Sequence, residues 1–173
     1  MESLVPTNAS ELRALVDAFL LAAEQASIGI TQDSIDFEFH AAPHEQPSIL
    51  PAGMVAIYWF SLNRTCLKVG QAGAKSSPRY TSQHYNPGST DSNLAKSILK
   101  HREMIASIVP DSQRAAVISL SESTVGTWMK AHLTRCNLLV DKSFGRPALS
   151  FLETFVQARL QPLFEGRVIW PLA

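Results

Sequence analysis

Tyr58 and Lys68 stand in two β-rich runs of this 173-residue chain, Arg79 follows in a stretch rich in Gly, Ser and Pro, and Glu153 sits late among apolar residues. Together they offer a phenol, an ammonium, a guanidinium fork and a carboxylate. Hydrolysis of a phosphodiester asks for such a set: an activated water, charge stabilisation at phosphorus and neutralisation of the leaving oxygen. A tyrosine serves as base near neutral pH only if a cation lowers its pKa from about 10. Lys68 is expected to be that cation, because antiparallel pairing of residues 54–60 with 65–70 brings positions 58 and 68 onto one face. Arg79 suits phosphate oxygens as a planar, permanently charged fork, where a lysine is a point charge. Glu153 lies among Leu149, Leu152, Phe155 and Val156, on or beside the buried side of a helix, where a carboxylate is costly without a cation. One glutamate with waters and substrate oxygens suits Mg2+, with Mn2+ as a substitute. Each residue also has an ordinary reading: a strand aromatic, an edge lysine that blocks strand pairing, a surface arginine, a structural ion pair.

The elements that must position these residues follow from periodicity. Ser10 reads as the cap of a helix with the stripe Leu12, Leu15, Val16, Phe19 and Ala23. Ile35, Phe37 and Phe39 alternate with polar residues as in a half-buried strand. Pro43, Pro47 and Pro51 mark a connection. Residues 54–60 and 65–70 flank a short polar Ser-Leu-Asn-Arg stretch and read as a β-hairpin. A short helix is expected around 79–84. A helix carrying Leu94, Ala95, Ile98, Leu99 and Ile105 follows a cap at Asp91 or Ser92. Residues 114–120 read as a third strand and 125–139 as a helix. A final helix opens at Pro147 and stops before Pro162.

This order resembles the GIY-YIG nuclease family. Ala56-Ile57-Tyr58 stands where the first signature triplet falls and Lys68-Val69-Gly70 where the second falls. Arg79 comes nine residues after the second triplet, and Leu152-Glu153 with Pro162 matches the family's metal-binding glutamate and the proline after it. Three positions depart from the pattern: Ala56 replaces the first glycine, Lys68 replaces the second tyrosine as in some restriction endonucleases of the family, and Glu165 replaces an asparagine. The resemblance implies an α/β fold with a small, mainly antiparallel three-stranded sheet flanked by helices, over residues 53–166, plus an added N-terminal helix and strand within residues 1–45. It implies a Mg2+-dependent DNA endonuclease, with a restriction or host-defence role, acting on double-stranded DNA. A homodimer and a companion DNA methyltransferase fit such a role. Tyr58, Lys68, Arg79 and Glu153 are its expected catalytic residues, with Glu153 on the metal. Tyr80, Gln83 and His84 lie about a helical turn from Arg79, and one of them should face the phosphate or the leaving oxygen. His84 is preferred, although the family's histidine or tyrosine falls at Gln83. Lys75 and Lys96 are expected backbone contacts.

The formal net charge is zero, which taken alone argues against a nucleic-acid partner. The distribution is uneven: residues 1–45 hold eight acids and one base, residues 46–102 seven bases and one acid. The basic segment is the one that holds Lys68 and Arg79. The length and 46% hydrophobic content suit one globular domain over residues 1–173. Cys66 and Cys136 match neither a disulfide framework nor a zinc site. No apolar run approaches the roughly 18 residues of a membrane helix, and a cytoplasmic setting is expected. The Gly70-to-Ser76 stretch lacks the spacing of a nucleotide-binding loop, and Cys66 lies mid-strand rather than at a helix start that would activate it. The rival from another class is a nucleic-acid-binding protein that keeps the fold without cleavage.

Overall fold

The computed structural model describes residues 5–73, 76–90 and 93–165, together with the backbone of 168–169. Asn8, not Ser10, caps the first helix, α1 (Ala9–Gln25): its side chain accepts the Glu11 N–H, and the Glu11 carboxylate accepts from Thr7. Satisfying a free first-turn amide in this way stabilises a helix by about 1 kcal/mol. The five apolar residues of the expected stripe are all buried. Strand β1 (Ile35–His40) precedes the proline-rich connection. The hairpin forms from β2 (Met54–Leu62) and β3 (Thr65–Ala72), so Ser61 and Leu62 belong to the strand. Its turn is Asn63-Arg64, whose φ values of 48° and 66° are the paired left-handed geometry that matches strand twist. The register shifts between Phe60 and Ser61, leaving Leu67 as the extra residue of a bulge.

A five-residue helix, α2 (Ser77–Thr81), and a single 3-10 turn, Gln83–Tyr85, lead to α3 (Leu94–Lys100) and α4 (Arg102–Ser107), which break at His101. Asn93 caps α3 by accepting the Lys96 N–H, and the expected caps Asp91 and Ser92 lie outside the described residues. Residues 114–120 are not a strand. They fall in α5 (Asp111–Ile118), where Pro110 sets the entry and Asp111 faces the positive helix end. The expected helix over 125–139 is also corrected: α6 (Val125–His132) ends early, and β4 (Thr134–Asp141) follows. β4 is buried on both faces, so its apolar residues run together without alternation and imitate a buried helix. The last helix, α7 (Gly145–Leu160), stops at Gln161, which is left-handed, just before Pro162. Two short strands, β5 (Phe164–Glu165) and β6 (Val168–Ile169), pair with each other.

β1, β4, β2 and β3 form, in that order, one antiparallel four-stranded sheet. The fold is therefore α/β with a small antiparallel sheet flanked by helices, and the N-terminal strand is part of that sheet. α1 and α7 pack on the face carrying Ile57, Trp59, Val69 and Leu138. The helices from α3 to α6 pack on the opposite face, which carries Tyr58, Phe60 and Leu139. β3 is one of the two edge strands, β1 the other. α2, α7 and β5 all lie against β3, and the Leu163 N–H bonds to the Cys66 carbonyl at 2.8 Å. No described helix is long and apolar enough to cross a membrane.

Candidate active site

Tyr58 pairs with Gly70 and Phe60 with Lys68, so residues 58 and 68 are diagonal neighbours on one face. The pairing explains the glycine. A Cβ at position 70 would lie 2.8 Å from both Cζ and Oη of Tyr58, so the phenol end fills the space that any other side chain needs.

Tyr58 is fully buried, and its hydroxyl lies 2.7 Å from Nε2 of His84, itself buried. The Leu94 N–H donates to His84 Nδ1 at 3.3 Å. A neutral imidazole that accepts at Nδ1 carries its proton on Nε2. His84 therefore donates to the Tyr58 oxygen and leaves the phenol hydrogen free for another acceptor. Burial, reinforced by Lys68, Arg135 and Arg79, pushes His84 down to about 3, so the ring stays neutral near pH 7.

The expectation that Lys68 lowers the Tyr58 pKa is not met. Burial pushes Tyr58 up to about 12, and the cations opposing the rise are Arg79 and Arg135. Arg135, on β4, is fully buried, with its guanidinium 5.1 Å from the Tyr58 ring centre, 5.2 Å from Phe60 and 4.9 Å from Tyr80. It donates to Asn137 Oδ1 at 2.9 Å and to the Tyr80 carbonyl at 2.7 Å, and Asn137 donates to Glu38 Oε2 at 2.8 Å. This polar layer holds the Tyr58 ring from behind.

In front of Tyr58, charged groups from four elements interact. Arg79 comes from α2, Lys68 from β3, Glu153 from α7 and Glu165 from β5. Lys68 is only 4% exposed. Burial lowers its pKa, Glu165 and Glu153 oppose that shift, and Arg79 adds to it. Glu153 is half-buried and held up by burial, against the pull of Arg79 and Lys68. Glu165 is held up by burial too, with Lys68 opposing and Glu153 adding to the rise. Two cations thus balance two carboxylates in a partly desolvated pocket.

Glu165 enters the sequence reading only as a replacement for asparagine, although its place three residues after Pro162 was a signal. Its Oε1 accepts from Gln157 Nε2 at 2.9 Å, while Oε2 is buried without a hydrogen-bond partner. A buried carboxylate oxygen lacking a donor, beside a second carboxylate, fits a hard cation. Mg2+ takes one or two carboxylates and keeps several waters, so Glu153 and Glu165 would hold it. Among the described residues no three His, Cys, Asp or Glu side chains gather at one point.

Of the other expected residues, Tyr80 packs edge-on against the Tyr58 ring, 6.2 Å between centres, and the rest lie elsewhere. Tyr80 is buried, and its hydroxyl donates to Glu38 Oε2 at 3.2 Å. Gln83 is half-buried in the 3-10 turn before α3, and Lys96 is exposed in the first turn of α3. Lys75 lies outside the described residues. Searched against family models, curated proteins and solved structures, the chain matches none.

Proposed function

We propose that this protein is a metal-dependent DNA endonuclease, hydrolysing phosphodiester bonds in a restriction or host-defence role. One observation carries the reading: a phenol, two cations and two carboxylates from five separated segments meet at the β3 edge, beside an orphaned carboxylate oxygen. The resemblance of residues 53–166 to the GIY-YIG family supports it, since four of the five groups occupy that family's positions. Glu165 is the fifth.

The residues divide the work. The exposed Arg79 fork grips non-bridging oxygens of the scissile phosphate, where it opposes charge that grows in the transition state. Lys68 sits deeper, in the same field, and its partial desolvation strengthens that interaction. Glu153 and Glu165 would hold the cation, which when bound would polarise the phosphate and neutralise the leaving oxygen. Tyr58, its oxygen fixed by the His84 Nε2–H, gives its phenol proton to solvent hydroxide and, as the tyrosinate, orients the attacking water and accepts one proton from it.

A second reading, a nucleic-acid-binding protein on the same fold without cleavage, draws on the enclosure of Tyr58 and its pKa of about 12. Cleavage of supercoiled plasmid with and without Mg2+ separates the two. The wild type is expected to nick or linearise the plasmid only with the metal. Glu153→Gln should abolish this while duplex binding persists, and Arg79→Ala and Lys68→Ala should each lose about a hundredfold in rate. Duplex binding by a wild type that never cleaves selects the second reading. Unchanged cleavage by Glu153→Gln removes Glu153 from the metal.

A further inference from the structure

A cleft of about 340 Å³ opens beside the carboxylate cluster, between the far end of the hairpin and the start of α7. Arg79, Lys142 and Arg146 line it, with Gln71, Ser76 and Gly145. No carboxylate is among its described lining residues. The nearest acid along the chain, Asp141, accepts the Ser143 N–H at 2.7 Å and lies outside the cleft. Three cations concentrated in one cleft of a chain with zero net charge form a local anion trap. The setting adds to it: α7 is 16 residues long, its first residues line the cleft, and Phe144 at its N-cap position makes no side-chain cap, so the positive helix end adds to the field there.

We propose that this cleft binds a backbone phosphate of the nucleic acid, adjacent along the strand to the phosphate held at the cleavage site. The inference rests on the nuclease reading for its occupant and deepens it. Arg79 belongs to both places, facing Tyr58 and Glu153 on one side and lining the cleft on the other. An anion that engages both must therefore repeat its charge at short intervals, as a polyphosphodiester does and a lone small anion does not. Two guanidinium forks, an ammonium, the Ser76 hydroxyl and the Gln71 amide supply donors from several directions, matching a tetrahedral phosphate better than a planar carboxylate. The basic face thus extends beyond residues 46–102 to Lys142 and Arg146.

The test is equilibrium binding of a fluorescent DNA duplex, in chelator so that nothing is cut, over about 50–200 mM salt. It compares the wild type, Lys142→Ala/Arg146→Ala, and Arg114→Ala as a control for loss of an exposed charge elsewhere. The double variant is expected to bind at least about tenfold more weakly, with a salt dependence shallower by about one to two powers. The charge-only pair Lys142→Gln/Arg146→Gln repeats the measurement should the alanine pair fold poorly. Affinity and salt slope equal to wild type, or an equal loss in Arg114→Ala, overturns the inference. So does a wild type that binds inorganic phosphate but no duplex. Plasmid cleavage is scored separately. A protein that binds through Lys142 and Arg146 without cutting keeps this inference and loses the nuclease reading. One that cuts while the double variant binds normally does the reverse.

Discussion

Replacing His84 by glutamine is expected to make the protein much less sensitive to acid. The imidazole is buried and neutral, donating to Tyr58 and accepting from the Leu94 N–H. Its pKa is lowered from 6.5 to about 3, chiefly by burial. A group with a depressed folded value contributes stability in full above its unfolded pKa and loses it as pH falls through the window between the two values. For His84 that window runs from about 6.5 down to about 3. The full gap corresponds to about 5 kcal/mol, of which about 3 kcal/mol is lost by about pH 4. Glutamine can keep both hydrogen bonds but does not titrate. Urea unfolding of both proteins from pH 7 to about pH 4 reads the difference directly. Wild type and variant should converge by about 3 kcal/mol across that range. Shared groups cancel in the comparison: His44, lowered by burial, loses stability in the same direction, while Glu153 and Glu165, raised by burial, act in the opposite one. A gap that stays constant with pH would mean that His84 is already protonated or exposed in the folded protein, and the tautomer assigned to it would fall.

Two further substitutions probe the phenol. Gly70→Ala puts a methyl 2.8 Å from the end of the Tyr58 ring. It should cost about 1–3 kcal/mol in thermal unfolding and at least about tenfold in cleavage by displacing the hydroxyl; a normal melt with normal cleavage would contradict the packing. Tyr58→Phe should stay folded and lose turnover. Because the Tyr58 pKa is about 12, single-turnover cleavage by wild type should climb with pH without levelling below about pH 9, a dependence the variant lacks. An active variant with the wild-type profile would transfer the base role elsewhere.

The hairpin and its shared face were legible because Met54 to Ala72 combines β-rich runs with a short polar turn, and strand pairing fixes which residues meet. α1 and α7 are legible from their stripes, although the cap, Asn8, lies two residues before the expected Ser10. β4 was hidden because Leu138, Leu139 and Val140 are all buried, removing the alternation that marks a strand. With β4 went Arg135: no local pattern announces a guanidinium lodged among three aromatic rings. The sign of the Tyr58 shift is hidden in the sequence for a related reason. Charge type is visible in a sequence, but the depth of burial that outweighs it depends on helices packed from elsewhere in the chain. Glu165 had a visible position, yet its unsatisfied oxygen is a tertiary fact.

The double pairing of β2 has a consequence for how the two halves of the site move. β2 is bonded to β4 on one side and to β3 on the other, so the amides around Tyr58 are shielded until the sheet itself comes apart. Arg79 rides on a five-residue helix whose start has no side-chain cap; the helix is pinned at the buried Tyr80, and its uncapped first turn opens at lower cost than the sheet. In amide hydrogen exchange, protection around Tyr58 would track global unfolding, and protection around Arg79 would track local fluctuation. The phenol is a fixed wall and the guanidinium an adjustable jaw, so a bent or imperfect duplex would be accommodated by α2 and leave the strands undisturbed.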